Sequence, residues 1–135
     1  EETKVVGPLF CTAQLTVGER CWIGKNLHIH GNGIVTIGDN CDVAPEVVFI
    51  TGGHEIGVHD RRAGKGISYS IHIGNGTWVG ARSTILRDVT IGAGCVIASC
   101  SCVVKNVEDD LLVAGTPART IRRLNQSILE KNVDG

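Results

Sequence analysis

From residue 73 onward an apolar side chain returns every six positions, at Ile73, Val79, Ile85, Ile91, Ile97 and Val103. The residue that follows is Gly or Ala in four cases, at Gly74, Gly80, Gly92 and Ala98. Four residues after each anchor stands a small or β-branched side chain: Thr77, Ser83, Val89, Cys95, Ser101 and Val107. The same frame runs upstream through Ile37, Val43 and Phe49. A second frame, two residues out of step, runs through Val5, Cys11, Val17, Ile23 and Ile29. The slip falls in His30-Gly31-Asn32-Gly33-Ile34, where Asn-Gly with a flanking Gly suits a tight turn or a bulge.

A helix turns every 3.6 residues and would smear a six-residue repeat around its axis. A simple alternating strand explains a period of two, but not the recurring Gly. A short strand followed by a corner, repeated every six residues, explains both: anchors point inward and Gly relaxes the backbone near the corners. Three units close a triangular coil, and coils stack through parallel hydrogen bonds as in other solenoids. The predicted fold is an all-β parallel solenoid.

Two segments break the pattern. Over residues 55–66 the anchors vanish and charge rises, which predicts an extruded loop with the repeat resuming near Ile67. A polar loop on a rigid scaffold is where function tends to sit. After Val107 the repeat ends. Thr116 reads as an N-cap with Pro117 at the first helical position. Ile121, Leu124 and Ile128 fall on one helical face, so a short helix over about 118–130 is expected to cap the open end of the solenoid. The expected organisation is a β-solenoid domain over 1–117, with a helix and tail over 118–135 packed on it.

Composition narrows the class. In 135 residues the formal net charge is −1 and charged residues make up 20%, so nothing points to nucleic acid or to an anionic membrane surface. Aromatics are 4% against 42% apolar residues, so the core must come from small and branched side chains, and 18 Gly fit many tight corners. No apolar run is long enough to span a bilayer and no secretory signal pattern is seen, so a cytoplasmic location is expected. The six Cys form no Cys-x-x-Cys pair. Cys21, Cys41 and Cys95 take the small inward position of the repeat and read as buried free thiols. Of five His, His54 stands out. It follows Thr51-Gly52-Gly53 at the mouth of the loop, where Gly lets the backbone turn sharply and a substrate come close.

Ile73-Gly74-Asn75-Gly76-Thr77-Trp78 and Ile91-Gly92-Ala93-Gly94-Cys95-Val96 resemble the hexapeptide repeat of the left-handed β-helix acyltransferases. The resemblance covers roughly residues 5–124. Thr51 to His54, the loop, Trp78-Val79-Gly80 and the Val-Ala-Gly-Thr-Pro-Ala-Arg stretch over 113–119 are similar to the maltose and galactoside O-acetyltransferase branch. That resemblance implies a left-handed coil, acetyl-CoA as donor, a small hydroxylated acceptor such as a sugar, and no metal. It implies His54 as general base, a role suited to a side chain that titrates near neutrality. It implies an oxyanion donor at the backbone of Gly80 or Ala81. Ala98 and Ser99 would lie along the pantetheine arm, and Lys105, Arg119 and Arg122 would face the CoA phosphates. Trp78 and His59 are the candidate acceptor-binding residues. The family also implies a homotrimer with active sites between subunits, which would cover outward apolar residues such as Trp22, Val48, Trp78 and Val96.

Two other readings are open to the same pattern. A γ-type carbonic anhydrase uses this kind of solenoid and needs three His ligands, which His54, His59 and His72 would have to supply. A non-catalytic assembly module would bind no CoA.

Overall fold

The computed structural model describes residues 2–129. Five rising coils account for the six-residue repeat. The first contains β1 (Lys4–Val5), β2 (Leu9–Cys11) and β3 (Gln14–Val17). The second contains β4 (Trp22–Ile23), β5 (Leu27–His30) and β6 (Ile34–Ile37). The third begins with β7 (Asp42–Val43) and β8 (Val48–Ile50), leaves the coil as a hairpin of β9 (Gly52–Ile56) and β10 (Ala63–Ser68), and returns as β11 (Ser70–Ile73). The fourth contains β12 (Trp78–Val79), β13 (Thr84–Leu86) and β14 (Val89–Ile91). The fifth contains β15 (Val96–Ile97) and β16 (Cys102–Val103), and closes with Val107 bridged in parallel to Ile91.

Equivalent strands of successive coils pair in parallel and build three faces. One runs β1-β4-β7-β12-β15, the second β2-β5-β8-β13-β16 and the third β3-β6-β11-β14. Val5, Ile23, Val43, Val79 and Ile97 stack in register along the first face, so the two frames seen in the sequence are one continuous column. The two-residue slip is a wider corner in the second coil. There Gly31 has φ +93°, a conformation that costs a side-chain-bearing residue about 1 kcal/mol or more.

The anchors form the core. Ile23, Ile29, Ile37, Val43, Phe49, Ile73, Val79, Ile85, Ile91 and Ile97 are buried, and each fully buried aliphatic contributes about 1.5–3 kcal/mol relative to exposure. Val5 and Cys11, inward in the same columns, belong to the first described coil, which is packed from one side, and they are exposed.

The end of the chain departs from expectation. No helix forms at the described part of 118–130. Instead β17 (Leu111–Gly115) continues the first face in parallel with β15, and β18 (Ala118–Arg123) folds back antiparallel on β17. Thr116 and Pro117 are the turn of this hairpin rather than a helix start. The division at 117 thus falls inside a hairpin, not before a helix; the end of the expected helix and tail, 130–135, lies outside the described residues. The repeat also resumes slightly later than expected, with Ile71 of β11 as the first buried anchor after the loop. No helix among the described residues is long and apolar enough to cross a membrane.

Candidate active site

The break at residues 55–66 is an ordered β-hairpin, so the candidate base His54 sits on a strand and not in a loose loop. Its base is tied to the wide corner below it. The buried Thr51 hydroxyl donates to the His30 carbonyl at 2.7 Å and accepts the Gly33 N–H at 3.0 Å. Gly53 lies against Tyr69, where an added Cβ would come within 2.8 Å of the phenol oxygen, so a larger residue here would require the Tyr69 ring to shift.

His54 is exposed and faces Gly66 across the hairpin. The register shifts between Ala63 and Gly66, and this bulge turns the Gly64 carbonyl onto the imidazole: Nδ1 lies 2.9 Å from the Gly64 oxygen. A carbonyl can only accept, so Nδ1 is the donor of this bond, and in the neutral ring the lone pair falls on Nε2. His54 lines a cleft of about 560 Å³ with His30, Asn32, Ile50, Gly53 and Ser68. The Ser68 hydroxyl donates to the Asn32 side-chain carbonyl at 2.7 Å. Sequence reading missed His30, Asn32 and Ser68; the one available signal was the two-residue frame slip, which widens this corner.

Lys105 and Arg119 meet elsewhere. They line a second cleft, of about 400 Å³, between the last coil and the terminal hairpin, with Asn106, Glu108 and Thr120. Arg122 does not line it; it stands opposite Leu112 on β18, partly buried. Trp78 lines a third cleft, on the first face, with Trp22, Asp42 and Ala44.

The backbone donors divide. The Gly80 N–H is spent on the Ile97 carbonyl at 2.8 Å, and that of Ala98 on the Val113 carbonyl at 2.9 Å. The Ala81 N–H has no such partner among the described residues, while its carbonyl accepts from Cys100. Ser99 is exposed at the corner above. His59 stands in the turn of the long hairpin, exposed and away from all three clefts. His54, His59 and His72 do not converge: among the described residues no three His, Cys, Asp or Glu side chains gather to hold a metal ion.

Comparison with known proteins bears on the fold and the family. Residues 70–105 match the family model described as bacterial transferase hexapeptide (six repeats), and residues 14–45 match the hexapeptide repeat of succinyl-transferase. A hexapeptide-repeat-containing acetyltransferase of Vibrio cholerae is 34% identical, with a TM-score of 0.83 over 92% of this chain and 72% of that one. Galactoside acetyltransferase solved with coenzyme A is 30% identical, with a TM-score of 0.71 over 99% of this chain and 72% of that one. The galactoside O-acetyltransferase of Escherichia coli strain K12 is 36% identical over 130 residues, covering 82% of this chain and 64% of its own length. The chain belongs to the hexapeptide-repeat acyltransferase superfamily. It spans somewhat under two thirds of the length of the curated relatives it matches.

Proposed function

We propose that the protein is an acetyl-CoA-dependent O-acetyltransferase acting on a small hydroxylated acceptor, with a sugar or sugar derivative the preferred class. The observation that carries this reading is the His54–Gly64 hydrogen bond, which holds the imidazole with a free basic nitrogen at a polar cleft. Relatives that are structurally similar were solved with acetyl-CoA or coenzyme A.

In this reading the acceptor lies against Asn32, Ser68 and His30, with one hydroxyl directed at His54 Nε2. His54 takes the hydroxyl proton as the oxygen attacks the thioester carbonyl carbon. The free Ala81 N–H supports the negative charge that develops on the carbonyl oxygen. The carbon–sulfur bond then breaks, and the imidazolium returns its proton to the CoA sulfur. Lys105 and Arg119 supply positive charge for the phosphates of the donor. The His54 and Lys105 clefts are separate within one chain, and a trimer that sets the hairpin of one copy against the donor channel of its neighbour would bring them together.

Acetyl transfer is followed by release of free thiol from acetyl-CoA across a panel of sugars. His54→Ala should lose about 10²–10⁴-fold in turnover while calorimetry still detects CoA binding. Full activity in that variant would remove His54 from the mechanism, and absence of CoA binding by the native protein would remove the donor.

A further inference from the structure

The outward row of the first face carries an unusual sequence of side chains. Trp22, Asp42 and Trp78 stand in register on three successive coils. Neighbouring strands lie about 4.8 Å apart, so the two tryptophan Cα positions are roughly 9.6 Å apart with Asp42 midway. These three residues and Ala44 line a cleft of about 370 Å³. Trp22 is 37% exposed, Asp42 is exposed and Trp78 is half-buried. The Asp42 carboxylate makes no hydrogen bond or ion pair among the described residues. Lys4, next in the row, stands on the far side of Trp22 and does not neutralise it.

All three side chains favour one kind of guest. Indole faces carry negative electrostatic potential and attract a cation within about 6 Å of the ring. The carboxylate between them adds a full negative charge. That charge disfavours an anion, and a hard metal ion would want six or more oxygen ligands where one carboxylate is present. A second copy packed over this slot would have to bring its own cation to Asp42, since burying the carboxylate unpaired costs several kcal/mol. We propose that the Trp22–Asp42–Trp78 slot binds a small organic cation, an alkylammonium or quaternary ammonium group. On the acetyltransferase reading, this would favour acceptors that carry such a group, but the binding site stands without that reading.

The two tryptophans of the slot are the only two in the chain, so intrinsic fluorescence reports on it directly. The experiment is a titration of the protein with choline, and with its neutral carbon isostere 3,3-dimethylbutan-1-ol, at matched ionic strength. Choline should give a saturable change, and the isostere should bind about tenfold more weakly, the scale of a partly desolvated cation–π and carboxylate contact. Asp42→Asn should weaken choline by a similar factor and leave the isostere unchanged. Trp22→Leu, with Trp78 as the remaining reporter, should weaken choline as well. Equal responses to choline and its isostere, an unchanged affinity in a folded Asp42→Asn variant, or no saturable response at all would each overturn the proposal, the last being the result if a second copy covers the slot. Because no turnover is measured, any of these outcomes leaves the acetyltransferase reading to its own test.

Discussion

At the scale of single residues, one corner column explains why Thr and Cys stand in for one another in the repeat. Thr3 donates to the Gly18 carbonyl at 2.6 Å, Cys21 to Gly38 at 3.0 Å, Cys41 to Gly74 at 3.2 Å, Thr77 to Gly92 at 2.8 Å and Cys95 to Glu108 at 3.0 Å. The position requires a small side chain with one hydrogen to give to the corner carbonyl of the next coil, and both residue types meet it. Burial pushes the Cys41 and Cys95 thiols above their ordinary range. Their folded forms therefore hold protons that the unfolded chain releases above about pH 8.5, so stability is complete below that value and falls as pH rises beyond it. Denaturant midpoints should be level between about pH 7 and 8 and decline through pH 9–10. Replacing Cys41 and Cys95 together by Thr should keep the hydrogen bonds and flatten the decline. A decline as steep in the double variant would place its source elsewhere. The inward position of these thiols was legible in the six-residue frame; their hydrogen bonds were not, because the acceptors lie 13–33 residues away.

At the scale of elements, the terminal hairpin shows where local signals fail. Thr116-Pro117 followed by apolar residues at helical spacing reads as a helix start, yet residues 118–123 form a strand. The edge of the first face decides this. β17 would otherwise end the sheet with unpaired N–H and C=O groups, and β18 satisfies them by pairing antiparallel. The strand form leaves Ile121 58% exposed and sets Arg119 beside Lys105, an arrangement that helical spacing does not give. Replacing Lys105 and Arg119 together by Ala should weaken CoA binding by about tenfold or more and reduce its dependence on salt. Arg122→Ala should have the smaller effect, since Arg122 does not line the cleft. Calorimetry at two ionic strengths checks both, and a larger loss in Arg122→Ala would place the donor phosphates on the other edge of the hairpin.

At the scale of the whole molecule, large apolar side chains stand exposed on all three faces of the solenoid, Trp22 on the first, Phe10 on the second and Ile34 on the third. Phe10 is 50% exposed and stacks on His28 with ring centroids 4.6 Å apart, and Ile34 is 44% exposed. Val96 does not belong to this surface: it is buried in its row between Trp78 and Leu112. Three chains packed with cyclic closure would cover such faces without leaving an open edge. Light scattering at micromolar concentration should return about three times the 14.3 kDa chain mass. Mixing His54→Ala with Lys105/Arg119 variants, at an acetyl-CoA concentration too low to saturate the latter, should give more activity than the two give unmixed. A fully active monomer would end this reading, because His54 and Lys105 line different clefts of one chain.

The six-residue spacing of Ile73 through Val103 by itself determined a solenoid of short strands, since no helix and no simple alternating strand reproduces that period. It also determined which side chains are core, because inward and outward positions follow from the frame. The Gly-flanked His54 could be picked out for the same reason: a departure is visible against a regular background. The tertiary structure alone decided how the departures are used. It turned the charged segment at 55–66 into an ordered hairpin, and a bulge in that hairpin into the carbonyl that orients His54. It converted a helical signal at the chain end into the strand that closes a sheet edge. It also joined Trp22, Asp42 and Trp78, which lie far apart in the chain, into one slot. Each of these depends on pairing between coils, and a register between distant segments is set by which backbone groups need partners, which local sequence does not encode.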